Sequence, residues 1–248
     1  MWDRPDLLNR FADLLIAVAF FLILYGALHV VVRLPVFPLR EVRITHAIAL
    51  VSPDQIEALI RRELRGNFFT VDLSALRAAF GKLPWVRDVS LRRTWPDRLE
   101  VTLEEHVPLA RWGDAALVNN HGEVFSAAHG GDLPVFIGPP GSAKEMAIQF
   151  QYFRRALAAI GKVPQQVQVT PRRAWQVRLE EGTTLELGRE EVETRLNRFI
   201  SVYGRTLAPL ARKVDLVDLR YANGFAVRIP ELRHEKNAPK GRKGLAQG

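Results

Sequence analysis

An uninterrupted apolar segment near the amino terminus constrains this chain more than any other feature. Residues 14–32 read LLIAVAFFLILYGALHVVV and carry no formal charge. As an α-helix rising about 1.5 Å per residue, they would extend roughly 28 Å, which matches the hydrocarbon thickness of a bilayer. A buried helix of a soluble protein rarely stays apolar around its whole circumference over about five turns. The segment therefore predicts a single transmembrane helix.

A cleaved signal peptide is the main alternative for this segment. Its apolar core would usually span only about 7 to 15 residues and end in a small-x-small cleavage site. Tyr25 places a bulky ring where that site needs a small side chain, so we expect an uncleaved anchor. Its orientation stays open, because arginines both precede and closely follow the span.

The residues after the span predict a small α+β domain. Apolar and charged residues alternate within residues 39–45, which indicates a short strand. An amphipathic helix follows the capping-box pattern from Ser52 to Gln55. A second helix begins near Asp72, and alternating segments on both sides of residues 95–98 predict a β-hairpin. The predicted order is strand, helix, helix, strand, strand, with both helices on one face of the sheet.

The following segment predicts a mixed β-sheet with flanking helices, so the fold class is α+β. A helix opens with a second capping-box pattern, Ser142 to Glu145, and a long amphipathic helix precedes the last strands. These strands are predicted at 214–221 and 225–229, joined by the turn sequence Ala-Asn-Gly. Residues 231–248 lack an apolar stripe and are rich in Lys, Arg and Gly, which predicts a disordered basic tail.

The chemistry-bearing residue types argue against catalysis and metal binding. The chain has no Cys, and its six His residues form no HExxH pair or other zinc-ligand spacing. It shows no phosphate-binding loop and no pattern typical of a catalytic triad. We therefore expect no enzyme activity, no cofactor and no metal. The net charge of +8 allows nucleic acid, an anionic membrane or acidic proteins as partners, and charge alone does not decide among them.

Short motifs in both extramembrane segments resemble those of the FtsQ/DivIB family of bacterial cell division proteins. The β-α-α-β-β order after an anchor is similar to a POTRA domain, and LPWV at 83–86 and RTWPDRL at 93–99 look like its FtsQ version. The resemblance extends from the anchor to the final hairpin. It continues through EHVPLARW at 105–112, RRAW at 172–175, LGR at 187–189, RL at 195–196, RF at 198–199 and DLRY at 218–221.

The resemblance implies a domain organisation and a location. The implied order is a cytoplasmic arm at 1–13, a transmembrane helix at 14–32, a POTRA domain at 37–105, a β domain at 106–230 and the disordered basic tail at 231–248. It implies a short cytoplasmic amino terminus, with the bulk of the chain in the periplasm, at the inner membrane of the division septum. The implied function is that of a divisome scaffold, which links cytoplasmic and periplasmic division components and helps to control septal peptidoglycan synthesis. A periplasmic location also removes nucleic acid as a partner.

The resemblance further implies a partner-binding site near the carboxyl terminus. Members of the family bind FtsB there, itself paired with FtsL, and we expect the POTRA domain to contact other divisome proteins. A strand at a sheet edge leaves one row of N–H and C=O groups unpaired, and a partner's extended segment can form hydrogen bonds with them. We expect Tyr221 on such a strand, with arginines that select an acidic stretch of FtsB. The matching positions are Arg172, Val202, Leu207, Arg220, Tyr221, Asn223 and Gly224.

Other functions would leave different traces in the sequence. Without the resemblance, Tyr221 would be interpreted as a core residue and the arginines as ordinary surface charges. A membrane-anchored cell-wall hydrolase would need a catalytic carboxylate or metal site in a cleft. A POTRA-type membrane-anchored assembly chaperone is the alternative within the same fold. It would bind unfolded outer-membrane strands instead of a fixed partner, and no barrel-like stretch follows here.

Overall fold

The computed structural model describes residues 5–34, 36–45, 49–210 and 212–230. The predicted tail at 231–248 lies outside the described residues, as do residues 1–4 of the predicted arm. The chain separates into two compact units, Met1–His106 and Val107–Gly248.

The apolar segment forms one continuous helix. Helix α1 extends over Pro5–Arg33 and contains a candidate span of 25 residues, Asn9–Arg33, with a mean hydropathy of 2.6. The apolar part of this span is not buried against the described protein. Such a helix is long and apolar enough to cross a bilayer. Because it begins at Pro5, residues 5–13 of the predicted arm belong to the same helix.

The rest of the first unit has the predicted β-α-α-β-β order. A three-stranded sheet has the order β1-β3-β2, in which β1 pairs with β3 in parallel and β3 pairs with β2 antiparallel. The elements are β1 (Glu41–Ile44), α2 (Pro53–Glu63), α3 (Leu73–Phe80), β2 (Val86–Thr94) and β3 (Arg98–Glu105). The apolar positions of the helices and strands share one core, whose most buried members are Ile56, Leu76, Phe80, Leu99 and Val101.

The two helix starts of this unit differ in their capping. Asp72 caps α3 as its sequence suggests, since its Oδ1 accepts the N–H groups of Ser74 and Ala75 at 2.9 and 3.0 Å. Ser52 precedes α2, but its side chain makes no capping hydrogen bond, so the predicted capping box is wrong. Pro53 at the first helical position has no N–H to satisfy, which reduces the need for one.

The second unit contains a nine-stranded mixed sheet with two helices. The strand order is β12-β11-β10-β9-β8-β7-β4-β5-β6, with parallel pairs at β10/β11, β7/β8 and β4/β7. The elements are β4 (Pro108–Trp112), β5 (Ala116–Asn119), β6 (Val124–Phe125), β7 (Val135–Ile137), α4 (Ala143–Ala158), β8 (Pro164–Val169), β9 (Trp175–Leu179), β10 (Thr184–Gly188), α5 (Val192–Thr206), a 3-10 helix (Ala208–Leu210), β11 (Leu216–Asp218) and β12 (Ala226–Arg228).

Aromatic side chains of the two helices fill the second core. Phe150 and Phe153 of α4 make edge contacts with Phe136 and Trp175, at ring-centroid distances of 5.3 and 6.0 Å. Helix α4 packs on β5 and β8, α5 packs on β10, and the two helices touch. Ser142 precedes α4, but its Oγ donates to the Pro139 carbonyl at 2.7 Å, so the second predicted capping box is also wrong. The architecture confirms the α+β fold class.

Candidate partner-binding site

The ends of four neighbouring strands meet at one end of the second sheet. Trp175, at the start of β9, pairs with Gly188 at the end of β10. Glu186 of β10 pairs with Asp218 of β11, and Asp218 pairs with Ala226 at the start of β12. The turn before β9 and the β11–β12 loop (residues 219–225) therefore lie at this same end.

Most of the predicted partner-binding residues lie at this end of the sheet. Arg172 is exposed in the turn before β9. The β11–β12 loop carries Arg220, Tyr221, Asn223 and Gly224, and the Tyr221 side chain is 57% exposed. A side chain added at Gly224 would meet no described atom within 4 Å. Packing within the described chain therefore does not explain the glycine.

The two predicted positions on the last helix fit less well. Val202 is half-buried on α5. Leu207 is 9% exposed and belongs to the core, so little of its side chain is available to a partner, and its predicted contact stays a prediction. It lines a small pocket with Thr183 and Val214, which lie just before β10 and β11. Leu207 is thus at the opposite end of these strands from Arg220.

The free sheet edge near the carboxyl terminus belongs to β12. Strand β11 has β10 on one side and β12 on the other, whereas β12 has β11 as its only ladder neighbour in the part of the chain that the structure describes. Tyr221 follows β11, so the prediction that Tyr221 lies on an edge strand is wrong. The parallel pairing of β11 with β10 puts β11 inside the sheet and leaves the outer position to β12.

The hydrogen bonds between β10 and β11 fix which backbone groups point toward β10. The Thr184 N–H donates to the Asp215 carbonyl, and the Leu219 N–H donates to the Glu186 carbonyl, both at 2.9 Å. Asp215 and Leu219 thus both direct a backbone group toward β10. In a parallel pair every second residue does so, and Val217, midway between them, therefore directs its N–H and C=O toward β10 as well. Successive residues of a strand alternate in direction, so the neighbours of Val217 direct their backbone groups toward β12.

The same alternation determines the free edge of β12. Leu216 and Asp218 of β11 pair with Arg228 and Ala226 of β12. These two β12 residues therefore use their backbone groups for the β11 ladder. Val227, between them, directs its N–H and C=O away from the sheet, where an added strand would bond.

Arg198 of α5 holds the β11–β12 loop in place. One of its terminal nitrogens donates to the Tyr221 carbonyl at 2.8 Å and lies 3.5 Å from the Leu219 carbonyl. The other donates to the Ala222 carbonyl. A half-buried guanidinium thus supplies the donors that these loop carbonyls would otherwise take from water. Sequence reasoning assigned Arg198 no role, because its partners lie more than twenty residues away.

Arg220 is already paired within the chain. Its Nε and Nη2 donate to the two carboxylate oxygens of Asp218 at 2.8 and 2.6 Å, and Nη2 lies 3.0 Å from a carboxylate oxygen of Glu186. This bidentate pair raises the pKa of Arg220 and lowers that of Asp218. Two carboxylates therefore offset the charge of Arg220, and Arg172 is the more available cation for an acidic partner.

Comparison with known proteins decides the family. The model for the FtsQ-type POTRA domain matches residues 37–106, and the model for the carboxyl-terminal domain of cell division protein FtsQ/DivIB matches residues 110–220. The chain is 44% identical to cell division protein FtsQ of Nitrosospira multiformis over 92% of this chain and 99% of that protein. The chain belongs to the FtsQ/DivIB family. Two further FtsQ proteins, from Burkholderia pseudomallei and Neisseria gonorrhoeae, are 38% and 31% identical over 98% and 95% of this chain, and each is covered over 100% of its length.

Membership of the FtsQ/DivIB family makes this chain a cell division protein and confirms the prediction that it is not an enzyme. Among the described residues, no group of three or more His, Asp or Glu side chains is arranged to hold a metal ion.

Replacing Arg198 should loosen the β11–β12 loop of this FtsQ-family chain. Arg198→Met keeps the length of the side chain but removes the donors to the three loop carbonyls. Hydrogen bonds from a charged donor stabilise by about 1.5–3 kcal/mol. We expect amide hydrogen exchange of residues 220–224 to accelerate at least about tenfold, a change of ~1.4 kcal/mol. Arg205→Met, an exposed arginine of the same helix, is the control. Equal exchange in the loop of both variants would contradict this role.

The Asp218–Arg220 pair predicts a pH dependence of stability. The pKa of Asp218 is lower in the folded chain than in the unfolded one, chiefly through the Arg220 hydrogen bonds. Its stabilising contribution is therefore complete above the unfolded value of about 3.9 and is lost as the pH falls through the lower folded value. We expect the free energy of unfolding to fall more steeply below about pH 4 in the native chain than in Asp218→Asn. Because Arg220 is more than half exposed, solvent screening keeps the difference small. An equally steep fall of the free energy of unfolding in both chains would contradict a stabilising role of the Asp218–Arg220 pair.

Proposed function

We propose that this chain is an inner-membrane scaffold of the divisome that binds FtsB, itself paired with FtsL, through the free edge of β12. Helix α1 anchors it, with a short cytoplasmic amino terminus and both domains in the periplasm at the division septum. In this role it links cytoplasmic and periplasmic division components and helps to control septal peptidoglycan synthesis. The POTRA domain contacts further divisome proteins. The observation that carries the proposal is the outward-facing backbone of Val227 beside the exposed β11–β12 loop.

Strand addition explains how so short an edge binds a partner. An extended FtsB segment beside β12 accepts from the Val227 N–H and donates to its C=O, which continues the sheet by one strand. The side chains at the edge, exposed at Ala226 and Arg228 and half-buried at Val227, leave room for this approach. Backbone pairing fixes the direction and register of the partner but does not select its sequence, so selectivity must come from nearby side chains.

Those side chains lie at the end of the sheet where β12 begins. Tyr221 offers an exposed aromatic ring of the kind that dominates binding energy in interfaces. Arg172 is an exposed cation that attracts an acidic stretch of FtsB, mainly by accelerating association. Open space at Gly224 lets a partner backbone approach closely. Arg220 contributes by ordering the start of the loop through Asp218.

Binding of FtsB by the full-length chain in lipid nanodiscs tests the site. Tyr221→Ala should weaken the complex about thirtyfold or more, equivalent to ~2 kcal/mol. Arg172→Glu should slow association severalfold, and more strongly at low salt. Arg154→Glu, an exposed arginine of α4, makes the same charge change outside the site and should bind normally. Native affinity of Tyr221→Ala combined with Arg220→Glu, in a folded chain, would remove FtsB from this site.

A further inference from the structure

A loop of the first unit is bonded to the end of the membrane helix. The Asn67 side chain, in the α2–α3 loop (residues 64–72), donates from Nδ2 to the Val32 carbonyl at 2.7 Å and to the Leu34 carbonyl at 2.9 Å. Asn67 is 5% exposed, and its Oδ1 accepts the N–H groups of Phe69 and Thr70. It therefore satisfies carbonyls that the end of α1 leaves open and ties the loop to that end.

The turn between β2 and β3 lies at the same end of the unit. Arg93 donates to the Val71 carbonyl at 2.7 Å, which joins the end of β2 to the α2–α3 loop. The Arg40 N–H donates to the Asp97 carbonyl at 2.9 Å, which joins the turn to the chain that follows α1. Three segments of the described chain are thus held together where the membrane helix ends: residues 33–41 without Pro35, residues 65–72 and residues 93–98.

This end carries exposed apolar side chains of the type found at membrane interfaces. Trp95 is 78% exposed, Val36 is 68% exposed and Phe69 is 43% exposed. Phe69 makes edge contacts with Phe37 and Phe68, at centroid distances of 5.2 Å in both cases. Aromatic rings gather at the level of lipid headgroups, because one part of the ring is apolar and the other tolerates water.

The charge of these segments favours the same surroundings. They contain five arginines, at positions 33, 40, 65, 93 and 98, against three acidic residues, at 41, 72 and 97. Of these acids, Asp72 caps α3 and Glu41 pairs with Arg98 at 2.9 Å. Arg33, Arg40 and Arg65 are exposed. Their aliphatic stems can follow apolar surface while their guanidinium groups reach anionic phosphates.

We propose that this end of the POTRA domain is seated in the bilayer interface, with Phe69 and Trp95 among the headgroups and the arginines on anionic lipid phosphates. The proposal rests on the proposed membrane anchoring by α1. The hydrogen bonds of Asn67 favour a lipid surface as the binding partner of this end, because they keep these rings at the level where α1 leaves the hydrocarbon. The consequence is that the POTRA domain has a fixed orientation at the membrane, instead of moving freely on a linker.

Site-directed spin labelling can measure the depth of each position, because the native chain contains no Cys. Single-cysteine variants of the full-length chain, Phe69→Cys and Trp95→Cys, are labelled and reconstituted into bilayers of phosphatidylethanolamine and phosphatidylglycerol. Lys82→Cys is the aqueous control, since Lys82 is exposed near the start of β2, at the other end of the sheet. Phe21→Cys, in the middle of α1, reports the anchor itself.

We expect the oxygen-to-nickel accessibility ratio at Phe69 and Trp95 to be severalfold higher than at Lys82 and lower than at Phe21, as for labels at headgroup depth. Aqueous values at Phe69 and Trp95 with a buried Phe21 would overturn the seating and leave the anchor intact. An aqueous Phe21 would instead refute the anchoring. Spin–spin coupling between chains at Phe69 would also overturn the proposal, because a second copy would then cover this end.

Discussion

Val227→Pro should weaken FtsB binding about 10- to 100-fold while the chain stays folded, a loss of ~1.4–2.7 kcal/mol. Proline removes the one N–H of β12 that points away from β11, and its ring occupies the space that an incoming strand needs. The ladder to β11 uses the neighbouring residues Ala226 and Arg228, so it keeps its hydrogen bonds. Titration of the reconstituted full-length variant with FtsB gives the affinity, and circular dichroism checks the fold.

The matched control for this variant is Val227→Thr. Threonine keeps the β-branched shape and the backbone N–H and should bind FtsB within about threefold of the native chain, a difference of ~0.7 kcal/mol. A proline variant that binds as well as the threonine variant would mean that the backbone of β12 is not used.

Phe199→Ala should lower the free energy of unfolding of the second domain by about 3–5 kcal/mol. Phe199 is 1% exposed and makes edge contacts with Tyr203 and Phe225, at centroid distances of 5.6 and 5.9 Å. The truncation leaves a cavity and withdraws support from Phe225, which leads into β12. Chemical denaturation measures the effect. Phe199→Leu fills most of the space and should lower the free energy of unfolding by less than about 1.5 kcal/mol. A loss in Phe199→Ala as small as that in Phe199→Leu would contradict this prediction.

The first domain could be predicted from sequence because its signals are local. Asp72 marks a helix start, the strands alternate cleanly, and the β-α-α-β-β order allows few ways to bury the apolar faces. The capping boxes at Ser52 and Ser142 failed because the pattern permits a hydrogen bond without requiring it. Strand β8 was missed, since its sequence PQQVQV has too few apolar residues to indicate a strand by itself.

The candidate site was predicted only in part, because its decisive features depend on contacts distant in sequence. The motifs led to the β11–β12 loop, where Tyr221 and Asn223 are exposed. They could not show which of two adjacent three-residue strands is the outer one, since that depends on the parallel pairing of β11 with β10. The role of Arg198 could not be predicted either, because its hydrogen-bond partners are also distant in sequence. The periodicity of α5 could not separate a core position such as Leu207 from a position that faces a partner, because both kinds of stripe repeat at the same spacing.

Amide hydrogen exchange of β12, measured residue by residue with and without FtsB, tests the central claim most directly. Addition of a strand at this edge predicts that exchange of the Val227 amide slows at least about tenfold in the complex. The amides of Ala226 and Arg228 should change less, because β11 already protects them. A saturated complex in which the Val227 amide exchanges as fast as in the free chain would contradict the account.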